Sequence, residues 1–450
     1  MSQELNKKFG LFTAIAMVVG IVIGSGVFFK AEKILTATGG NLPLGILSWV
    51  IGGLVMISCA CTFAVMATKY ERVNGIVDYA EAAMGRTYGY YVGWFMAMIY
   101  YPTLTSVLAW VSARYTCVLF GWDITGGQCM TIAGFFLVAS YALNALSPVL
   151  AGKFQVTATV IKLIPLALMA VVGTVYGMGN GMIMRNFTSV VTEVEPTVAL
   201  FTAVVATAFA YEGWIIATSI NAELKDSKRN LPIALVAGTF GVMLVYILYY
   251  VGLAGAVTNE TLMAGGQEGA KLAFETVFSG LGGTLIFVFV IISCLGTLNG
   301  LMLGCTRGIY SIAARGEGPA VRMFSQIDPV SNMPTNSAIF GLLLSAVWLV
   351  YFYGANLTEP WFGFFCFDSS ELPIVSLYAM YLPIFVSFMR NEGDLPVLTR
   401  FVLPALALCG SLFMIYAACY AHGMAVVAYL SIFAVVMLAG AVLAKSGVRG

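Results

Sequence analysis

Histidine is almost missing from this chain: His422 is the only one among 450 residues. That argues against a histidine-bearing metal centre, and no nucleophile stands beside a base in the manner of a hydrolase. Charge is equally scarce. Asp, Glu, Lys and Arg make up 10% of the sequence, against about 25% in soluble globular proteins. A net charge of +1 leaves no basic footprint for nucleic acid. No cleavable leader is expected, because the polar start, Met1 to Gly10, runs directly into a full-length apolar segment. The nine cysteines lie in or at the ends of apolar segments without zinc-ligand spacing, so they read as packing residues, and neither metal nor cofactor is expected. What remains is apolar: 60% of the residues are hydrophobic. The chain reads as an all-α, polytopic integral membrane protein, with the lipid bilayer as its first partner.

A membrane crossing takes about 20 apolar residues. That length predicts twelve transmembrane helices, over 10–37, 42–68, 88–120, 128–147, 155–178, 197–222, 232–257, 282–314, 336–354, 367–389, 399–421 and 424–444. The third exceeds a perpendicular crossing and is expected to tilt strongly or to extend past the bilayer. Lysine and arginine placement orients the set. With the N-terminus inside, sixteen of the 22 fall on the inner side and four, Lys30, Lys33, Arg185 and Lys271, on the outer. Arg114 and Lys162 fall within spans. The bias places both termini in the cytoplasm.

The first span carries Gly20, Gly24, Ser25 and Gly26 in mid-membrane, within Gly20-Ile21-Val22-Ile23-Gly24-Ser25-Gly26-Val27-Phe28-Phe29. Glycine costs about 1 kcal/mol against alanine inside a helix. Unwound backbone at membrane depth is tolerated only where protein or a water-filled cavity satisfies it. One reading is a broken helix whose free N–H groups suit a carboxylate. The other is close helix packing through small residues. The sixth span holds a second irregularity, Phe209-Ala210-Tyr211-Glu212-Gly213-Trp214, with a glutamate that is expensive in an apolar helix. Breaks in the first and sixth spans point to two inverted five-helix repeats with the site between them. An odd number of spans separates the two, which gives the halves opposite orientation. The repeat is visible in segment order alone.

Gly24-Ser25-Gly26-Val27-Phe28 resembles the first-helix motif of the amino acid–polyamine–organocation superfamily. The run Asn221 to Pro232 is similar to the loop after that superfamily's sixth helix. Phe209-Ala210-Tyr211 with Gly213-Trp214, and Ser293-Cys294-Leu295-Gly296-Thr297-Leu298-Asn299-Gly300, resemble the narrower L-type amino acid transporter family, in order and on the matching helices. Among its members the chain looks closest to the bacterial alanine–serine–cysteine exchangers.

The resemblance implies a leucine-transporter-like fold in a single transporter domain spanning residues 1–450. Its first repeat covers about 10–178, the second about 197–389, and two additional helices about 399–444. It implies exchange of small neutral L-amino acids without sodium, by alternating access, in a bacterial plasma membrane. The substrate carboxylate would take N–H groups around Ser25 and Gly26, and the ammonium the carbonyl oxygens of Val22, Phe209 and Glu212. Phe209 would cover the substrate. Glu212 departs from the glycine of animal members, so its side chain either binds a proton, narrows the pocket or acts through backbone alone. Lys162 resembles a lysine whose ammonium replaces sodium, with Tyr246 and Thr297 or Ser293 as its partners; the plainer alternative is snorkelling to the inner surface. Arg114 reads as a snorkelling or paired cation, and Asp368 and Glu371 as vestibule or loop-edge residues, with an outer-gate role as the alternative. Animal relatives bind a single-span glycoprotein through a disulfide after the third span. Here Cys129 reads as the start of the fourth helix, and no heavy subunit is expected. A proton-coupled symporter is the first alternative. A cationic amino acid or polyamine exchanger, a channel and a membrane enzyme rank below it.

Overall fold

The computed structural model describes residues 10–70, 75–215, 224–329, 333–357 and 359–446. They form an all-helical protein. In chain order the helices are α1 (Leu11–Val22), α2 (Gly26–Ala37), α3 (Leu42–Lys69), α4 (Ile76–Met84), α5 (Arg86–Phe120) and α6 (Gly127–Leu146). Next come α7 (Val149–Gly179), α8 (Met182–Thr188), α9 (Pro196–Ala210), α10 (Ser227–Ala256), α11 (Asn259–Gly265) and α12 (Gln267–Phe278). The last six are α13 (Gly280–Ala313), α14 (Val321–Phe324), α15 (Thr335–Ala355), α16 (Leu372–Asn391), α17 (Leu398–His422) and α18 (Met424–Ala444).

Among the described residues, ten helices are long and apolar enough to cross a membrane. The two shorter apolar helices, Leu11–Gly20 and Pro196–Ala210, fall where the sequence places its broken first and sixth spans. Local chemistry sets the ends. Asn41 caps α3 by accepting from the Leu44 amide at 3.0 Å, and Glu195 caps α9 by accepting from Val198 at 2.7 Å, with Pro196 next to it. Gly121 ends α5 in the left-handed conformation, φ 68°. Several boundaries differ from expectation; α10, for one, begins at Ser227 and not 232. The fifth span begins at Val149, earlier than residue 155, because exposed Lys153 is carried on the helix. The tenth begins at Leu372 and not 367: Asp368 folds back to accept from the Ser370 amide at 2.8 Å, a turn that competes with the helix.

The chain divides into two compact units. The first comprises Met1–Gly89, Leu166–Gly283 and Ile374–Ala421. Within it α10 packs along α3 and α1, and α9 packs on α2 and α3. Three glycines of α3 make this close. A Cβ at Gly45 would fall 2.2 Å from the Tyr250 hydroxyl, one at Gly52 1.9 Å from Thr207 Oγ1, and one at Gly53 2.5 Å from Met243 Cγ. Buried Asn186 donates to the carbonyls of Ala254 and Val257 at 2.6 and 2.9 Å, and Asn259 donates to Gly40 at 2.7 Å, which ties three connecting segments together.

The second unit comprises Tyr90–Pro165, Thr284–Pro373 and His422–Gly450. Here α15 packs on α5 and α6. A buried amide chain joins α6, α13 and α7: Asn144 donates to Asn299 Oδ1 at 2.9 Å, and Asn299 donates to Gln155 Oε1 at 3.1 Å. Trp94 and Tyr90 of α5 donate to the carbonyls of Val436 and Gly440 of α18, both at 2.8 Å. Glu371 stands in the turn just before α16, at the loop edge, but is withdrawn from water. It is 1% exposed, and its carboxylate lies 3.0 Å from Nε2 of His422.

Candidate functional site

The first unit contains two opposed helix ends. α1 stops at Val22, Ile23 turns extended (φ −66°, ψ 104°), and α2 starts at Gly26. The interruption is therefore Ile23 to Ser25, which holds Gly24 and Ser25, with Gly26 opening α2. By helix geometry the first amides of α2 have no intrahelical acceptor and form its positive end. Ser25 is 1% exposed, and its hydroxyl has no hydrogen-bond partner. A buried, uncommitted hydroxyl beside free amides is a donor set for an anion.

α9 stops at Ala210. Tyr211, Glu212 and Gly213 form a turn in which Gly213 takes φ 104°, a region side chains rarely adopt. A Cβ on Gly26 would lie 2.5 Å from Cα of Ala210, so only glycine lets the start of α2 meet the end of α9. The carbonyl ends of α1 and α9 share one donor. Tyr246 of α10 is fully buried, and its hydroxyl lies 3.0 Å from the Val22 oxygen and 3.1 Å from the Ala210 oxygen. Its ring stacks on Tyr211 at 5.3 Å, and the Tyr211 hydroxyl donates to the Trp49 carbonyl at 2.9 Å.

Phe209, 7% exposed, meets Phe29 edge-on at 6.0 Å. The Lys30 ammonium lies over both rings, 5.2 Å from each centroid. Lys30 is 0% exposed, although the charge count sets it among the outer cations. Glu212 is half-buried, within electrostatic reach of Tyr378, Tyr381 and Cys59. Trp214 packs against Phe63 and Tyr381, at 5.7 and 6.1 Å.

The structure thus gathers Val22, Ser25, Gly26, Phe209 and Tyr246 at the paired ends, with Glu212 in the adjoining turn. The remaining predicted residues belong to the second unit. Lys162 on α7 is 2% exposed. On α13, Thr297 donates to the Ser293 carbonyl at 3.1 Å, and the buried Ser293 hydroxyl has no hydrogen-bond partner. Of the loop after the sixth span, Asn221 to Glu223 lie outside the described residues. Lys30 and the double acceptor of Tyr246 went unseen in the sequence. The one available signal was the four-residue spacing from Gly26 to Lys30, which sets both on one face of α2. Among the described residues no cluster of His, Cys, Asp and Glu is arranged to hold a metal ion.

Known proteins resemble this chain along most of its length. The family profile described as amino acid permease matches residues 9–442. The serine/threonine exchanger SteT of Bacillus subtilis (strain 168) is 27% identical over 420 residues, covering 91% of each chain. The b(0,+)-type amino acid transporter 1 of Homo sapiens is 26% identical over 422 residues, 92% of this chain and 83% of that one. The aspartate-proton symporter of Bacillus subtilis (strain 168) is 26% identical over 377 residues, 79% of this chain and 70% of that one. The crystal structure of MhsT in complex with L-phenylalanine shares the fold, with a TM-score of 0.59 over 93% of this chain and all of that chain, at 13% identity.

Proposed function

Since the chain belongs to the amino acid permease family, and is therefore a multi-pass membrane transporter of amino acids and not an enzyme, we propose that it exchanges small neutral L-amino acids, alanine, serine and cysteine, without sodium. The observation that carries this reading is the pairing of helix ends at Val22–Gly26 and Ala210–Gly213. Amides around Ser25 and Gly26 take the substrate carboxylate, because an anion is stabilised at a helix N-terminus. The carbonyls of Val22, Phe209 and Glu212 take the ammonium, and Phe209 covers the bound molecule. In this reading the Glu212 side chain narrows the site toward small substrates.

The proposed frame has twelve crossings: two inverted repeats, about 10–178 and 197–389, then two helices, about 399–444. Both termini are cytoplasmic, in a bacterial plasma membrane, and no heavy subunit is needed. Access alternates as a bundle of the first, second, sixth and seventh spans moves against the remainder. Lys162 stands in for a sodium ion, with Thr297 or Ser293 as its conformational partner.

A proton-coupled symport is the second reading, favoured by the similarity to a protein named as an aspartate-proton symporter and by Glu212 in the turn. Uptake of labelled L-alanine into proteoliposomes separates the two. Uptake that requires unlabelled alanine trapped inside establishes exchange. Uptake into empty vesicles driven by an inward proton gradient establishes symport, and Lys162→Ala and Glu212→Gln then test which residue carries the proton. No uptake in either arm sinks the substrate assignment.

A further inference from the structure

Lys30 is the least expected side chain in the first unit. A fully buried lysine is rare and is held by its neighbours, and two aromatic rings are among those of Lys30. Here its ammonium is withdrawn completely from solvent and set 5.2 Å from the centroids of Phe29 and Phe209. An aromatic ring is negative over its face and positive at its edge. The two rings meet edge to face at 6.0 Å, interplanar angle 76°, so the ammonium and the ring pair form one electrostatic cluster. The placement is fixed by the helix. Lys30 stands four residues beyond Gly26, and Gly26 touches Ala210 on α9; residues four apart share a face. Lys30 is therefore held on the side of α2 that meets the last turn of α9, where Phe209 is carried. That last turn precedes a backbone interruption, so Phe209 stands at the end of its helix, beside the turn Tyr211 to Gly213.

We propose that Lys30 is a positioning residue for Phe209: its ammonium latches the aromatic ring in the covering position, and the passage of substrate requires that contact to break. This rests on the reading that Phe209 covers a bound amino acid. Away from water, a cation–π contact biases a two-position equilibrium on the order of thirtyfold. Weakening the latch should raise the apparent KM for exchange by about tenfold or more, with kcat held or increased, because the covered state is lost while the open state is reached more easily.

The test uses the full chain in proteoliposomes and exchange of labelled L-serine. Phe209 is replaced by phenylalanine carrying one, two and three ring fluorines, which drain the negative face with little change in shape. With native Lys30, KM is expected to climb in steps with fluorination. In Lys30→Met, KM should start high and stay flat across the series; Lys30→Arg should restore both the low KM and the graded response. A KM that ignores fluorination with native Lys30, or equal slopes in the Lys30 and Lys30→Met proteins, overturns the latch. If Lys30→Met does not fold, the fluorine series on native Lys30 decides alone. A protein that exchanges serine normally but shows no fluorine dependence retains its function without the latch. One that exchanges no neutral amino acid loses the reading of the site, and the latch with it.

Discussion

The hydroxyl of Tyr246 sits between the carbonyl oxygens of Val22 and Ala210, 3.0 and 3.1 Å away, and a single O–H serves the ends of two different helices. Tyr246→Phe keeps the ring and its stacking on Tyr211 but leaves both carbonyls without that donor. A buried acceptor deprived of its partner costs about 1–3 kcal/mol. The variant is expected to unfold at lower temperature in detergent micelles and to exchange substrate on the order of tenfold more slowly, since the two ends are no longer held in register. An unchanged melting curve and unchanged exchange would show that the bridge does nothing.

Gly26→Ala tests the contact between the broken helices. The added methyl would lie 2.5 Å from backbone, at Ala210 Cα, and backbone cannot rotate away as a side chain can. We expect about 1–3 kcal/mol of destabilisation and loss of most uptake. Gly134→Ala on α6 is the control. A Cβ there meets nothing within 4 Å, so helix propensity alone applies, and a gain of up to about 1 kcal/mol is expected with uptake unaltered.

The amide chain of the second unit predicts a non-additive result. Asn299→Leu removes the acceptor for Asn144 and the donor to Gln155. Hydrogen bonds between membrane helices are worth about 0.6 kcal/mol each, rarely above 1.7, so the expected loss is roughly 1–2 kcal/mol. The double variant Asn144→Leu/Asn299→Leu should lose less than the two single variants together. Thermal unfolding of all four proteins measures this directly.

Acid should loosen the connection between α3 and the segment after α16. Asp394 accepts from the Lys69 ammonium at 2.6 Å, and Glu392 shares the same ammonium. That bond holds the Asp394 carboxyl below its ordinary range. A carboxyl whose pKa is lower folded than unfolded stabilises the folded state at every pH above its unfolded value, about 3.9, and loses that contribution as pH falls through the folded value. The melting temperature of the native protein should therefore exceed that of Asp394→Asn at neutral pH, with the gap constant down to about pH 4 and closing below it. Raised salt should narrow the gap at neutral pH, since the carboxylate is exposed. A gap that widens on acidification contradicts the assignment.

The break between α1 and α2 is legible in the sequence because Gly24, Ser25 and Gly26 act through local backbone cost, which needs no knowledge of neighbours. The termination of α9 is less so. No proline marks it, and the signal is the Glu212-Gly213 pair, where Gly213 takes φ 104°. The burial of Lys30 is not legible in the sequence, because it depends on which way α2 faces. The partners of Tyr246 are hidden for a related reason. They are backbone carbonyls, exposed only where two helices end, and side-chain identity carries no trace of them. The start of α16 is hard to place from sequence, since apolar content near residue 367 outweighs the turn-forming Asp368.

The glycines of α3 have a kinematic consequence. Tyr250, Thr207 and Met243 occupy the spaces that Gly45, Gly52 and Gly53 leave vacant, so the helix is keyed against both α9 and α10 like a shaft in a slot. Spinning α3 about its axis would swing a bulkier neighbour into each slot, which removes one degree of freedom from the assembly. Any rearrangement that shifts the ends of α1 and α9 must then drag α3 along as a rigid follower, and the effort of moving the site is spread over four helices at once.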